Sequence, residues 1–126
     1  MRYLLDTSFA IDYLRGQGDA IARMEQLFAD GDDVFVNDVV ICELATGMAS
    51  EGDPRVQAFI RALEYLQPGP EVAAVAGGFR SEARRRGQTL SVPDALIAAC
   101  ADSVGALVLT RNVRDFALTP VRVATY

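Results

Sequence analysis

The feature that most constrains this chain is a set of short, continuous apolar runs separated by stretches with helical spacing. Tyr3 to Leu5, Val34 to Val36 and Ala106 to Leu109 show no polar alternation, which predicts strands buried on both faces. Val121 to Ala124 reads as a last strand. Between the runs, Ile11 and Leu14 mark a first helix after Asp6-Thr7-Ser8, closed near Gly16. Ile21, Met24, Leu27 and Phe28 mark a second from Asp19 to about Asp30. Asn37-Asp38 caps a helix from Val39 to about Met48, and Asp53-Pro54 opens one with Val56, Phe59, Ile60 and Leu63 on one face. Gln67 to Pro70 breaks the chain before a helix from Glu71 to Arg86, stopped by Gly87; another runs from Val92 to about Val104. Strand and helix in alternation predict an α/β fold, a three-layer sandwich around a mostly parallel sheet. At 126 residues the whole span, 1–126, is expected to form one domain.

Absences narrow the chemistry. There is no histidine, which excludes a histidine general base and the common histidine-ligated zinc hydrolases. All twelve cationic side chains are arginine, so Schiff-base chemistry and the lysine-dependent phosphate loop are excluded. Arginine remains the better bidentate phosphate ligand. The net charge of -5 leaves nucleic acid as a partner only through a local cationic patch. Cys42 and Cys100 sit in apolar runs and read as small buried hydrophobes. No run approaches the ~20 apolar residues needed to cross a bilayer, and Asp6 interrupts any leader-like core, so no membrane contact and a cytoplasmic location are expected.

Four acids stand where apolar neighbours predict burial or where parallel sheets bind ligands. Asp6 ends the first strand, the edge at which such sheets hold their ligands; it would equally serve as a helix cap. Glu43 lies inside Val39-Val40-Ile41-Cys42-Glu43-Leu44, although a helical face shared with Thr46, Gly47 and Ser50 would carry it to solvent. Asp94 follows Pro93 in a first helical turn, a common place for an acid. Asp115 follows Arg111 and Arg114, either of which would pair with it. Brought together, carboxylates repel: two charges about 4 Å apart cost roughly 4 kcal/mol at an effective dielectric near 20. A hard divalent cation removes that penalty, and all-oxygen ligation suits Mg²⁺ or Mn²⁺. Such an ion supports phosphodiester hydrolysis without a protein base.

Leu5-Asp6-Thr7-Ser8, Ile41-Cys42-Glu43-Leu44, Pro93-Asp94-Ala95-Leu96-Ile97-Ala98-Ala99 and Leu109 to Phe116 occur in an order and spacing that resembles the PIN-domain ribonucleases. Among these the chain is most similar to the VapC-type toxins of toxin–antitoxin pairs. The resemblance covers essentially the whole chain and implies a PIN-like fold and a metal-dependent endoribonuclease. It implies that Asp6, Glu43 and Asp94 hold Mg²⁺ or Mn²⁺ and activate the attacking water, with Thr7, Ser8 and Thr110 orienting carboxylates or waters. Many relatives carry an acid where this sequence has Asn112; Asp115 is favoured as the fourth acid and Asn112 as a contact. The resemblance further implies an RNA substrate, a homodimer and a cognate antitoxin. Arg84, Arg85 and Arg86, with Arg111, are candidate phosphate contacts, although a helix end also favours arginine. The apolar faces with Leu27, Phe28, Phe59, Ile60 and Leu63 either form core or present a groove to the antitoxin.

Three other readings compete. A phosphoacceptor signalling domain needs a late lysine, which is absent. A haloacid-dehalogenase-type phosphatase needs a second acid two residues after the first, where Ser8 stands. A PIN-like module that binds RNA or protein with weak catalysis is the remaining alternative, distinguished by testing cleavage.

Overall fold

β1 (Arg2–Leu5) shows why the apolar runs lack alternation. Tyr3 is 7% exposed and Leu4 and Leu5 are fully enclosed, and successive strand residues point to opposite faces. Both faces of the strand are therefore covered, and each enclosed leucine contributes roughly 1.5–3 kcal/mol by leaving water. The computed structural model describes residues 1–48 and 53–126; Ser50 lies outside them.

The chain continues through α1 (Thr7–Leu14), α2 (Gly18–Ala29), β2 (Asp33–Asn37), α3 (Asp38–Gly47), α4 (Pro54–Arg61) and β3 (Glu64–Leu66). Then follow α5 (Pro70–Arg85), α6 (Val92–Ser103), β4 (Leu107–Leu109), a 3₁₀ turn (Val113–Phe116) and β5 (Val123–Ala124). The five strands lie in the order β3-β2-β1-β4-β5, and every pairing is parallel rather than mostly so. Helix starts follow the expected chemistry. The Asn37 side chain accepts from the Val40 N–H at 3.2 Å, and the Ser91 hydroxyl accepts from the Asp94 N–H at 3.2 Å. Gly87, at φ 73°, takes the left-handed conformation that stops α5.

Topology determines where a ligand can sit. From β1 the chain builds outward through β2 and β3, whereas β4 and β5 lie on β1's other side. Leu5 pairs with Leu109, and the Asp6 N–H donates to the Leu109 carbonyl at 2.9 Å. The segments after β1 and β4 thus emerge side by side at the carboxyl edge, where the strand order reverses. Open parallel sheets bind ligands at such a reversal.

Three local expectations are corrected. The sequence predicts no strand between Leu63 and Gln67; β3 is a three-residue edge strand with Glu64 and Tyr65 exposed, so it has no apolar run to announce it. The last two strands are shorter than their apolar runs, starting at Leu107 and Val123. Cys42 is exposed while Cys100 is buried, because Cys42 lies on the outer side of α3.

Candidate active site

Asp6 is the N-cap residue of α1, yet its side chain accepts no capping hydrogen bond from the backbone N–H groups of the helix. Its carboxylate is only 5% exposed and is held elsewhere. Oδ2 accepts from the Thr110 hydroxyl at 2.7 Å and from the Ser8 hydroxyl at 2.9 Å. Both hydroxyls are themselves oriented by backbone. The Arg111 N–H donates to Ser8 Oγ at 3.1 Å, and the Asn112 N–H donates to Thr110 Oγ1 at 2.9 Å. Each hydroxyl has one proton, so with both protons on Asp6 the 3.1 Å Ser8–Thr110 approach is a contact between acceptors. Asp6 Oδ1 accepts no hydrogen bond from the described residues and is not fully enclosed. The capping explanation of Asp6 fails on this geometry.

The other acids also lose their simpler explanations. Glu43 is half-buried in the second turn of α3, and its Oε1 accepts from the Thr7 hydroxyl at 2.7 Å. α1 and α3 are thereby tied together across the site. Asp94 stands in the first turn of α6, but Ser91 performs the capping. Burial pushes the Asp94 carboxyl above its ordinary range; Ser91 pulls it down, and the charges of Asp115, Asp6 and Glu43 raise it further. The charges of Asp115, Asp6 and Glu43 thus all reach Asp94. Asp115, exposed on the 3₁₀ turn, does not pair with Arg111, whose guanidinium binds Asp12 at 2.7 Å. Among the described residues no ion pair involves Asp115. As they stand, no three carboxylate or thiol side chains among the described residues are grouped tightly enough to enclose an ion.

The remaining expected contacts divide. Asn112 is exposed and its side chain makes no cap to the following turn. Arg84, Arg85 and Arg86 are exposed at the end of α5, and Arg85 and Arg86 reach Glu82 at 2.7 and 3.5 Å. The packed α5–α6 hairpin sets this arginine end beside the start of α6, where Asp94 lies. Away from the acids, Tyr13, Leu14, Ile21, Phe28, Phe59 and Leu63 help line an apolar groove of about 410 Å³. Leu27 is fully buried, whereas Phe28 is 51% exposed, so the two suggested roles split between adjacent residues.

Sequence reasoning missed Asp12 and Tyr126. Asp12 is 8% exposed, with Oδ1 accepting from Arg111 Nη1 at 2.7 Å and Oδ2 from the Tyr126 hydroxyl at 2.5 Å. The signal was available: Asp12 is an acid among apolar residues, the same argument that singled out Glu43.

The chain matches known proteins along almost its full length. The sequence profile of the PIN domain matches residues 3–120. Ribonuclease VapC19 of Mycobacterium tuberculosis is 31% identical over 93% of this chain and 94% of its own length. VapBC2 from Rickettsia felis, solved bound to a DNA fragment from its promoter, superposes with a TM-score of 0.87. It is 21% identical over 100% of this chain and 99% of the matched one, a likeness of fold. VapBC-5 from Mycobacterium tuberculosis, a member of the VapBC family of toxin–antitoxin systems, gives a TM-score of 0.67 at 25% identity. That match covers 98% of this chain and 96% of the other.

Proposed function

The chain belongs to the PIN-domain family and, within it, to the VapC ribonucleases, and from that premise we propose that it is a divalent-metal-dependent endoribonuclease acting as the toxin of a toxin–antitoxin pair. The observation that carries the reading is the Asp6 carboxylate, buried after β1, held on Oδ2 by two oriented hydroxyls and open on Oδ1. Burying a carboxylate at a sheet reversal is costly, and its hydrogen bonds offset only part of that cost unless a cation faces it. The donor set fits Mg²⁺ or Mn²⁺: four carboxylates, no histidine and no paired thiols. Asp6, Glu43, Asp94 and Asp115 would hold the ion, with Asn112 beside them. When bound, the ion supplies Lewis-acid polarisation of the phosphodiester and a water acidic enough to attack phosphorus.

The chain's own residues contribute orientation and charge. Thr110 and Ser8 fix which Asp6 oxygen faces the substrate, and Thr7 does the same for Glu43. Arg84, Arg85, Arg86 and Arg111 offer the cationic surface that an acidic protein needs to hold RNA. The apolar groove with exposed Phe28 is suited to an apolar segment of the cognate antitoxin. A homodimer, a cytoplasmic location and one nuclease domain over 1–126 belong to the same reading. No helix among the described residues is long and apolar enough to cross a membrane.

The test is to incubate the purified protein with labelled RNA in Mg²⁺, in Mn²⁺ and in EDTA, beside Asp6→Asn. Cleavage should appear with either ion, vanish in EDTA, and fall about a thousandfold in the variant. Equal cleavage by both proteins removes Asp6 from the reaction. Binding without cleavage in any ion transfers the chain to the RNA- or protein-binding alternative.

A further inference from the structure

Four acids at one edge repel the polyanion they are proposed to cut, so the position of nearby cations matters. Arg111 is tied to the site at both ends. Its N–H donates to Ser8 Oγ, which in turn donates to Asp6. Its guanidinium binds the buried Asp12 carboxylate through Nη1 alone, at 2.7 Å on Oδ1. Two parallel bonds are the stronger arrangement for arginine and a carboxylate, but here the second oxygen, Oδ2, is engaged instead by the Tyr126 hydroxyl at 2.5 Å. Burial, reinforced by the hydrogen bond to Asp12, pushes that hydroxyl far above its ordinary range, so it stays a neutral donor. The Tyr126 ring is fixed edge-on against Phe9, with centroids 4.8 Å apart and planes at 89°. The Arg111 side chain remains 57% exposed.

Building on the nuclease reading, we propose that Arg111 contacts an RNA phosphate beside the acids, and that Asp12 and Tyr126 are positioning residues that keep its guanidinium half engaged. Tyr126 donates to the oxygen that a bidentate clamp on Asp12 would need and competes with the second guanidinium nitrogen for it. The free edge of the guanidinium is thereby left for a phosphate, which it binds in the same two-pronged way. Asp12 supplies the anchor that stops this long side chain from sampling solvent, lowering the entropy lost when RNA arrives.

Tyr126→Phe isolates the effect, because the ring against Phe9 is kept and only the hydroxyl is lost. Steady-state cleavage of a fluorescent single-stranded RNA in Mg²⁺ would be measured over a range of salt, together with thermal melting. KM should rise about threefold to tenfold, the range for one hydrogen bond, with kcat nearly unchanged. Melting should be unchanged or raised, since Asp12 can then close on both guanidinium nitrogens. Arg111→Ala should raise KM further and lower the slope of log KM against log salt by about 0.7, one phosphate contact on a single strand. Adding Tyr126→Phe to Arg111→Ala should then change KM no more. A Tyr126→Phe protein with unaltered KM, or an increase in KM that multiplies with that of Arg111→Ala, overturns the positioning role. A parent protein that neither binds nor cuts RNA overturns the nuclease reading and this inference with it; a parent that cuts while the variants fail these patterns overturns the inference alone.

Discussion

The two sides of the acidic edge are built differently. On the β1–β4 side, Asp6 is buried and takes two hydroxyl protons, and each hydroxyl is itself oriented by a backbone N–H. On the helical side, Glu43 has one hydroxyl partner, Asp94 is half-buried in a first turn, and Asp115 is exposed without an ion pair among the described residues. The first side is fixed by the sheet, whose rigidity costs nothing further when a ligand arrives. The second is free to adjust by side-chain rotation. A site of this kind holds one ligand oxygen firmly and lets the others close around whatever binds, which agrees with the absence of a ready-made three-carboxylate cage among the described residues.

The sharpest way to break this comparison is to remove one hydroxyl from each side. Thr110→Val deletes one of the two hydroxyl donors to the buried Asp6 and leaves the partly buried Asn112 N–H without its acceptor. It should cost about 1–3 kcal/mol of stability in urea titration and lower RNA cleavage about 10- to 100-fold. Thr7→Val deletes one partly buried bond to Glu43 and should cost about 0.5–1.5 kcal/mol, with a several-fold smaller loss of cleavage. Equal losses would show the two sides to be equally rigid.

A smaller effect sharpens the contrast. The Asp94 carboxyl is raised by burial and by its acidic neighbours, so its charge works against folding. Such a group favours the native state below its unfolded pKa, and that favour is lost as pH rises through the folded value. Asp94→Asn should therefore raise the melting temperature in EDTA at neutral pH, and the gain should vanish at pH below the ordinary carboxylate range. A gain independent of pH would assign the effect to packing. Smallest of all, Arg85→Ala breaks an exposed pair with Glu82 and should change stability by less than about 0.5 kcal/mol; a larger loss would mean that the α5 end is as tightly organised as the β1–β4 corner.

How much of this was legible in the sequence depended on the kind of signal. β1, β2 and β4 were readable because buried parallel strands are apolar without alternation. β3 was not, because an exposed edge strand of three residues has no pattern to show. Asp6, Glu43, Asp94 and Asp115 could be named from their apolar or strand-end settings, but their competing roles were separable only with geometry. Ser91 rather than Asp94 caps α6, and Asp12 rather than Asp115 holds Arg111. Asp12 carries the same local signal as Glu43, but its pairing with Tyr126 is not legible, because the link spans 114 positions and no local pattern reports a partner so far away. Cys42 was misplaced because an apolar run within a helix does not say which side faces out.

The hydroxyl that orients Asp6 lies 104 positions further along the chain. At ordinary synthesis rates of about 5–20 residues per second, the ribosome delivers Thr110 roughly 5–20 s after Asp6. Throughout that interval the nascent polypeptide has β1 but neither β4 nor the segment that completes its corner. The corner that holds Asp6 is therefore completed late in translation, when the distal strands dock beside the first.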